Sequence, residues 1–381
     1  PILPESPFLY LVERVKGDEM KKAVIIGAGQ TGRGFIAPIV QENGYAITFL
    51  DKDHALVEQL RKEKEYTVSY FGGKREPQHI SGYSALTTDE KEAVNALVEA
   101  DVVFVSVFAS HVGELAELLG EAASKRAEKL TVFCCENGVN VKKPLIEEGV
   151  DAVISEGVIF CTTLKPEAEK LDLISQDYPE LPVDGKVPGL QVHLDRMPWE
   201  EDFPGLIQRK IYTYNFMSAV VAYLGDYKGY EVYGEAANDP EIAAMMADLL
   251  PVLSRIIGKE YGVPYEVQLN FTQNAIAKFQ NRDIYDTIYR NARQAERKLG
   301  LKERMLTPLR LAAKDGDDTR EIALVTAAAI YYGEQKEALD CEKILSDMKT
   351  DPYLQNETEL INRFLEGMRR KEKLTSLLKD V

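Results

Sequence analysis

From Lys21 to about Phe160, short apolar runs alternate with stretches in which apolar residues recur every three or four positions. AVII (23–26), AITFL (46–50) and YTVSY (66–70) have the composition of strands, and the periodic stretches predict helices through Val40, over about 54–63 and over 112–124. DVVFVSV (101–107) and LTVFCC (130–135) are apolar throughout and too short for ordinary helices. Runs of that kind belong to strands covered on both faces, as in a parallel sheet with helices on either side. Between about Leu171 and Gly205 the pattern dissolves into prolines and turn formers, with PELPVDGKVPG at its centre and Trp199 near its end, and a domain boundary is expected there. Beyond it, long helical periods dominate, in residues 206–225, 242–262 and 319–333, with almost no strand signal. The pattern predicts an α/β domain over 20–204 with a parallel-rich sheet, then a mainly α-helical domain over 205–381. Residues 1–19 precede the first clear strand and read as a flexible extension.

A chain of 381 residues, 45% hydrophobic, has ample material for two cores. Its 46 basic and 62 acidic residues give a formal charge of −16, which repels polyanions, so neither nucleic acid nor an anionic membrane is expected as a partner. The four cysteines, Cys134, Cys135, Cys161 and Cys341, form no CxxC pair and suit a reduced, cytoplasmic protein. His54, His79, His111 and His193 form no HxH or HExxH pattern, and no metal is expected. No apolar stretch has the length of a membrane span, and the first nineteen residues, with Glu5, Glu13, Arg14 and Lys16, lack the apolar middle of a signal peptide.

The first strand runs into VIIGAGQTGRGF (24–35), where Gly27, Gly29 and Gly32 stand in GxGxxG spacing at a strand-to-helix junction. The first glycine permits the tight turn, the second lets a pyrophosphate approach the backbone, and the third allows close helix-to-strand packing. Gln30 and Thr31 lie inside the turn, and Asp51 closes the second strand 22 positions after Gly29, where a carboxylate accepts the ribose hydroxyls. A Rossmann-like domain binding NAD is the reading, since the carboxylate repels the 2′-phosphate of NADP.

GAGQTGRGFI (27–36), CENGVNVKKPL (135–145), RKIYTYN (209–215) and YRNARQAERKLGLKERMLTPL (289–309) together resemble the mannitol-1-phosphate 5-dehydrogenase branch of the polyol-specific long-chain dehydrogenase/reductase family. The resemblance covers most of the chain from Met20 onward. It implies an NAD-binding domain, a helical catalytic domain, and metal-free hydride transfer between a polyol phosphate and a ketose phosphate. It assigns the catalytic base to Lys210 and oxyanion contacts to Asn215 and Asn137. These residue types suit the chemistry, because a base must take the hydroxyl proton while donors that do not titrate hold the oxyanion. A lysine does this only where its pKa falls from about 10.4 toward neutrality, and Ile211, Tyr212, Tyr214 and Phe216 supply an apolar setting. Positions five apart on an α-helix lie about 140° from each other, so Lys210 and Asn215 require a local distortion or the reach of the lysine stem to meet. Asn215 and Ser218 share a face.

The sequence leaves the family at two places. Ser218 stands where a substrate-contacting histidine is expected, and GVIFCTTLKP (157–166) places Thr162 and Thr163 where an Asp-Arg pair is usual. Two alternatives therefore stand beside the polyol phosphate: a keto sugar acid of the hexuronate type, or an NAD(H)-binding sensor without turnover. Arg290, Arg293 and Arg297 follow i, i+3, i+7 spacing, which gathers them on one helical face where a substrate phosphate or carboxylate would relieve their repulsion, with Lys298 alongside. A solvated face paired with nearby acids is the plainer reading. Arg33 either approaches a phosphate or pairs with a surface acid; His111 is expected as a surface or capping residue; the cysteines of the strands, and Tyr233 among the tyrosines, are expected in packing or rim positions. The oligomeric state is left at monomer or small homo-oligomer.

Overall fold

The computed structural model describes residues 20–379, so the extension expected over 1–19 lies outside the described residues. The chain divides into two compact units. Of the described residues, the first holds 20–69, Pro77–Glu136 and Val141–Trp199; the second holds Tyr70–Glu76, Asn137–Asn140 and 200–379.

Among the described residues the strands are β1 (Lys22–Ile26), β2 (Ala46–Asp51), β3 (Glu65–Tyr70), β4 (Gln78–Ser81), β5 (Ser84–Thr87), β6 (Val102–Val105), β7 (Leu130–Cys135), β8 (Ala152–Gly157), β9 (Thr163–Leu164), β10 (Leu173–Ser175), β11 (Val183–Asp184) and β12 (Trp199–Glu200). Eight form one sheet in the order β12-β11-β8-β7-β6-β1-β2-β5. Every pair from β8 to β5 is parallel, with Ile25 opposite Phe49 on one side and Phe104 on the other. The continuous apolar runs have the predicted place: β6 and β7 are buried at every residue, because helices cover both faces of a parallel sheet. Chain order runs outward from β1 through β2 to β5, then returns to β6 on the other side of β1. That reversal creates a crevice at the carboxyl end of β1, the usual ligand position in such sheets.

Four expectations are amended. The YTVSY strand joins a separate four-stranded sheet, β4-β3-β10-β9, rather than the parallel one. The strand in 101–107 is confined to Val102–Val105, and the helix expected from residue 112 starts at Ala116 after two short 3₁₀ turns. The proline-rich stretch supplies β11, which pairs antiparallel with β8.

The second unit is helical. Its longest helices are Pro240–Glu260, Arg320–Lys336, Tyr265–Gln280, Glu357–Arg369 and Phe216–Tyr227. Asp239 opens the first by accepting from the Glu241 and Ile242 amides, with Pro240 at the position that needs no donor. Phe216–Tyr227 and Arg320–Lys336 are apolar nearly all round and form the centre of this unit's core, through residues such as Val220, Tyr223, Leu324 and Ala328. Among the described residues no helix is long and apolar enough to cross a membrane.

Candidate active site

The glycine turn is built as the spacing requires. Gly27 has φ +95, and a Cβ there would lie 2.3 Å from the Ser106 carbonyl oxygen. A Cβ on Gly32 would lie 2.1 Å from the Gly27 carbonyl oxygen, so both positions exclude any larger residue. Gly29 is different: nothing lies within 4 Å of where its Cβ would be, and it is exposed together with Gln30. Gly29 therefore has open space above it at the start of a helix, which Gln30 and Thr31 begin. The first turn of a helix leaves N–H groups without intrahelical acceptors, which suits an anion. Asp51 stands beside this turn, its carboxylate accepting from the Ala28 amide at 2.7 Å and the Asp53 amide at 2.9 Å.

Arg33 takes neither of its expected roles. Its side chain is buried, with Nε donating to the Ala28 carbonyl at 2.7 Å and Nη1 to the Leu171 carbonyl at 2.5 Å. The guanidinium packs over the Tyr66 ring, and burial pulls its pKa down. The reason is geometric. The helix that follows the glycine turn passes through a π-helical stretch, Gly32–Ile36, whose residues are all buried, so position 33 faces the interior and its fork braces the turn from below.

Lys210 ends the helix Phe203–Lys210 and is only 6% exposed. Its Nζ donates to Asn137 Oδ1 at 3.0 Å, from the Asn137–Asn140 loop that packs with the helical unit. The distortion required between Lys210 and Asn215 is present: residues Ile211–Asn215 form a π-helical turn, after which Phe216–Tyr227 resumes as α-helix. A turn closed by i to i+5 hydrogen bonds brings positions five apart toward one face, which ordinary helix geometry does not. Lys210 and Asn137 are thus joined directly, and Asn215 closes the turn of backbone that Lys210 opens. Gln268, fully buried on the helix Tyr265–Gln280, accepts from Arg209 Nε at 2.8 Å and donates to Thr213 Oγ1 at 2.9 Å.

Ser218 is half-buried, and its Oγ accepts from the Tyr233 hydroxyl at 3.1 Å. Burial pushes the Tyr233 phenol well above its usual value, so it stays a neutral donor. Where the resemblance leads one to expect a histidine, this chain carries a hydroxyl pair. Tyr233 was expected only in a packing or rim position and Gln268 was not singled out from sequence: their partners lie 15 and about 55–59 positions away, and no local pattern marks them. Thr163 Oγ1 meets Ser175 Oγ at 2.8 Å, and the Cys161 thiol lies 3.2 Å from Ser175, so the second departure from the family is an uncharged cluster.

The basic segment is corrected. Helix Ile288–Ala292 stops at Arg293, Gln294 adopts a left-handed conformation (φ 65), and a separate turn spans Ala295–Lys298. The break is held by Glu337, whose two carboxylate oxygens each accept a backbone N–H at 2.7 Å, from Gln294 and Ala295. Arg290, Arg293 and Arg297 therefore do not share a helical face. Arg290 pairs with Asp286 at 2.6 Å. Lys298 is buried and donates to the Asn291 carbonyl; burial first, then Arg304 and Arg297, brings its pKa down to about 7. Arg293 is exposed and lines a cleft of about 550 Å³ with Tyr289, Arg297 and Glu337.

His111 meets Glu114 at 2.6 Å on the surface. Cys134 and Cys135 are buried in β7, and burial raises the Cys134 thiol to about 12, which leaves it inert. Cys161 is half-buried and lies outside the strands. Among the described residues, no group of three or more His, Cys, Asp or Glu is arranged to hold a metal ion.

Residues 21–192 match the mannitol dehydrogenase Rossmann domain, and residues 203–380 match the mannitol dehydrogenase C-terminal domain. The mannitol-1-phosphate 5-dehydrogenase of Enterococcus faecalis is 26% identical over 355 residues, covering 87% of this chain and 92% of that protein. That of Oceanobacillus iheyensis is 29% identical over 354 residues, covering 86% and 91%. Among solved structures, Pseudomonas fluorescens mannitol 2-dehydrogenase, in a ternary complex with NAD and D-mannitol, superposes with a TM-score of 0.74 at 14% identity, covering 95% of this chain and 94% of that one. Substrate-free D-sorbitol dehydrogenase superposes at 0.71 and 15%, covering 92% and 94%. At such identities the two structures speak for the fold, a Rossmann-type domain with a helical partner. With its strand-to-helix glycine turn, its helical second unit and both family domains matched in order, the chain is a dehydrogenase acting on a CH–OH group and belongs to the mannitol dehydrogenase family.

Proposed function

We propose that this chain is an NAD-dependent polyol-phosphate dehydrogenase of the mannitol 1-phosphate/fructose 6-phosphate type, working without metal and with Lys210 as its base. The observation that carries this reading is the buried Lys210 side chain, its Nζ bonded to Asn137, beside a π-helical turn that ends in Asn215.

The cofactor fits the residues present. Open space above Gly29 admits a pyrophosphate where a Cβ would intrude, and Asp51, already oriented by two backbone amides, presents its remaining lone pairs to the ribose hydroxyls. When bound, the nicotinamide supplies the acceptor for the hydride. In the oxidative direction Lys210 takes the proton from the substrate hydroxyl. Because Asn137 Oδ1 already accepts from Lys210, that amide is turned so that its NH₂ remains to donate to the developing oxyanion. Asn215 supplies a second amide. Ser218 and the neutral Tyr233 phenol offer hydroxyls to the polyol chain, and Arg293, the exposed cation at the helix break, meets the phosphate, with Arg290 and Lys298 shaping the segment around it.

The test is NADH oxidation with fructose 6-phosphate, free fructose and a keto sugar acid, in the parent and in Lys210→Ala. Turnover of the phosphorylated ketose, falling ~10²-fold or more in the variant while NADH binding holds, is the expected result. Preference for the sugar acid would replace the substrate, and a variant within a few-fold of the parent would remove Lys210 from its role.

A further inference from the structure

The π-helical turn Ile211–Asn215 is an uncommon piece of backbone, and such turns persist only where their surroundings hold them. The side chain that holds this one comes from outside it. Gln268 is 0% exposed, and its amide uses both ends: Oε1 accepts from Arg209, the residue before Lys210, and Nε2 donates to Thr213, in the middle of the turn. Thr213 is itself fully buried. Arg209 is kept in place from a second direction, its guanidinium lying 4.8 Å from the centre of the Phe271 ring, one helical turn beyond Gln268.

Behind the amide a buried chain of hydroxyls continues away from the turn. Thr272 Oγ1 donates to the Gln268 backbone carbonyl at 2.9 Å, and Ser254 Oγ, which bonds the Leu250 carbonyl at 2.6 Å, lies 3.1 Å from Thr272 Oγ1. An amide in this position has one orientation only, since flipping it would set NH₂ against the Arg209 donor and leave buried polar groups unmatched.

We propose that Gln268 is a positioning residue of the reaction: it fixes the register of the π-helical turn, and through it the approach of Lys210 and Asn215 to one another. The proposal rests on the reading of Lys210 as the base. Misplacing a reacting group by about 1 Å can cost ~10²-fold in rate, so an amide that sets this register acts on turnover without touching substrate.

Four substitutions separate positioning from plain structural support. Gln268→Met keeps the length and removes both bonds; Thr213→Val removes the receiving hydroxyl, and Thr213→Ser retains it. Ser254→Ala breaks the same buried network on its far side. Expected are a ~10- to 100-fold fall in kcat for Gln268→Met and Thr213→Val, NADH affinity unchanged, parent-like kcat in Thr213→Ser and Ser254→Ala, and faster hydrogen exchange of the 211–216 amides in Gln268→Met. Should Gln268→Met fail to fold, Gln268→Glu accepts from both Arg209 and the Thr213 hydroxyl and is expected to keep kcat. In a Lys210→Ala background Gln268→Met should subtract nothing further. If Lys210→Ala alone leaves kcat intact, the base assignment falls. If Lys210→Ala is crippling while Gln268→Met and Thr213→Val keep parent kcat and exchange, or if Ser254→Ala loses as much kcat as they do, the positioning role is overturned.

Discussion

At the scale of single residues, the Asp51 carboxylate, held by the Ala28 amide beside the glycine turn, bears on which nucleotide binds. It follows the turn at a distance set by one helix and one strand, so its place was legible, and its consequence is testable. NADH should bind more tightly than NADPH, and Asp51→Ala should narrow that gap by removing the carboxylate that repels a 2′-phosphate; fluorescence titration with both nucleotides measures it, and equal affinities in the parent would sink the NAD assignment. Lys298 was legible only as a charge, because its burial depends on how the segment breaks. With a folded pKa near 7 against 10.5 unfolded, it is a base held in its less protonated form. The unfolded chain therefore binds more protons between about pH 7 and 10, and stability from this group rises with pH across that window at up to about 1.4 kcal/mol per unit. Below pH 7 the full penalty of a buried cation is present. Urea unfolding at pH 6.5 and pH 9 should show the parent gaining on Lys298→Met with pH, and parallel behaviour of the two would reject the shift.

At the scale of elements, hydrophobic periodicity located strands and helices well, since each must bury one face or two, but it does not see where a helix changes its winding. The need for a distortion between Lys210 and Asn215 was visible from their five-residue spacing, whereas its form, a π-helical turn gripped by Gln268, comes from a partner 55 positions away. The break at Gln294 was missed for the same reason: Glu337, 43 positions on, competes for the amides that a continuous helix would use. The glycine turn allows a sharper test, because its glycines serve different ends. Gly32→Ala would drive a Cβ to 2.1 Å from the Gly27 carbonyl oxygen and should disturb folding and NADH binding together. Gly29→Ala meets nothing within 4 Å, so it should melt like the parent and yet lose NADH affinity, the new methyl occupying space a pyrophosphate requires. A Gly29→Ala protein that binds NADH normally would mean the open space is not the phosphate seat.

At the scale of the whole molecule, a charge of −16 sets the terms on which a phosphorylated substrate is met. The mean field repels it, and the basic residues of 290–304 are the local exception. With Arg290 tied to Asp286, Arg297 paired with Glu303 and Lys298 buried, the exposed charge there comes chiefly from Arg293 and Lys302. A dianionic ketose phosphate drawn to them should lose kcat/KM as salt rises, because the Debye length shrinks from about 30 Å at 0.01 M to about 8 Å at 0.15 M. A free ketose carries no charge and should respond little. Arg293→Gln isolates the contribution. If Arg293 meets the phosphate directly, its removal forfeits charge-assisted hydrogen bonds worth about 1.5–3 kcal/mol, roughly 10- to 150-fold in kcat/KM for the phosphorylated ketose alone, and flattens the salt dependence. A flattened salt response with little loss at high salt would make Arg293 a steering charge rather than a ligand. Equal losses for both ketoses would trace the effect to the helix break that Arg293 begins, and unchanged kinetics would leave the phosphate to be recognised elsewhere in the chain.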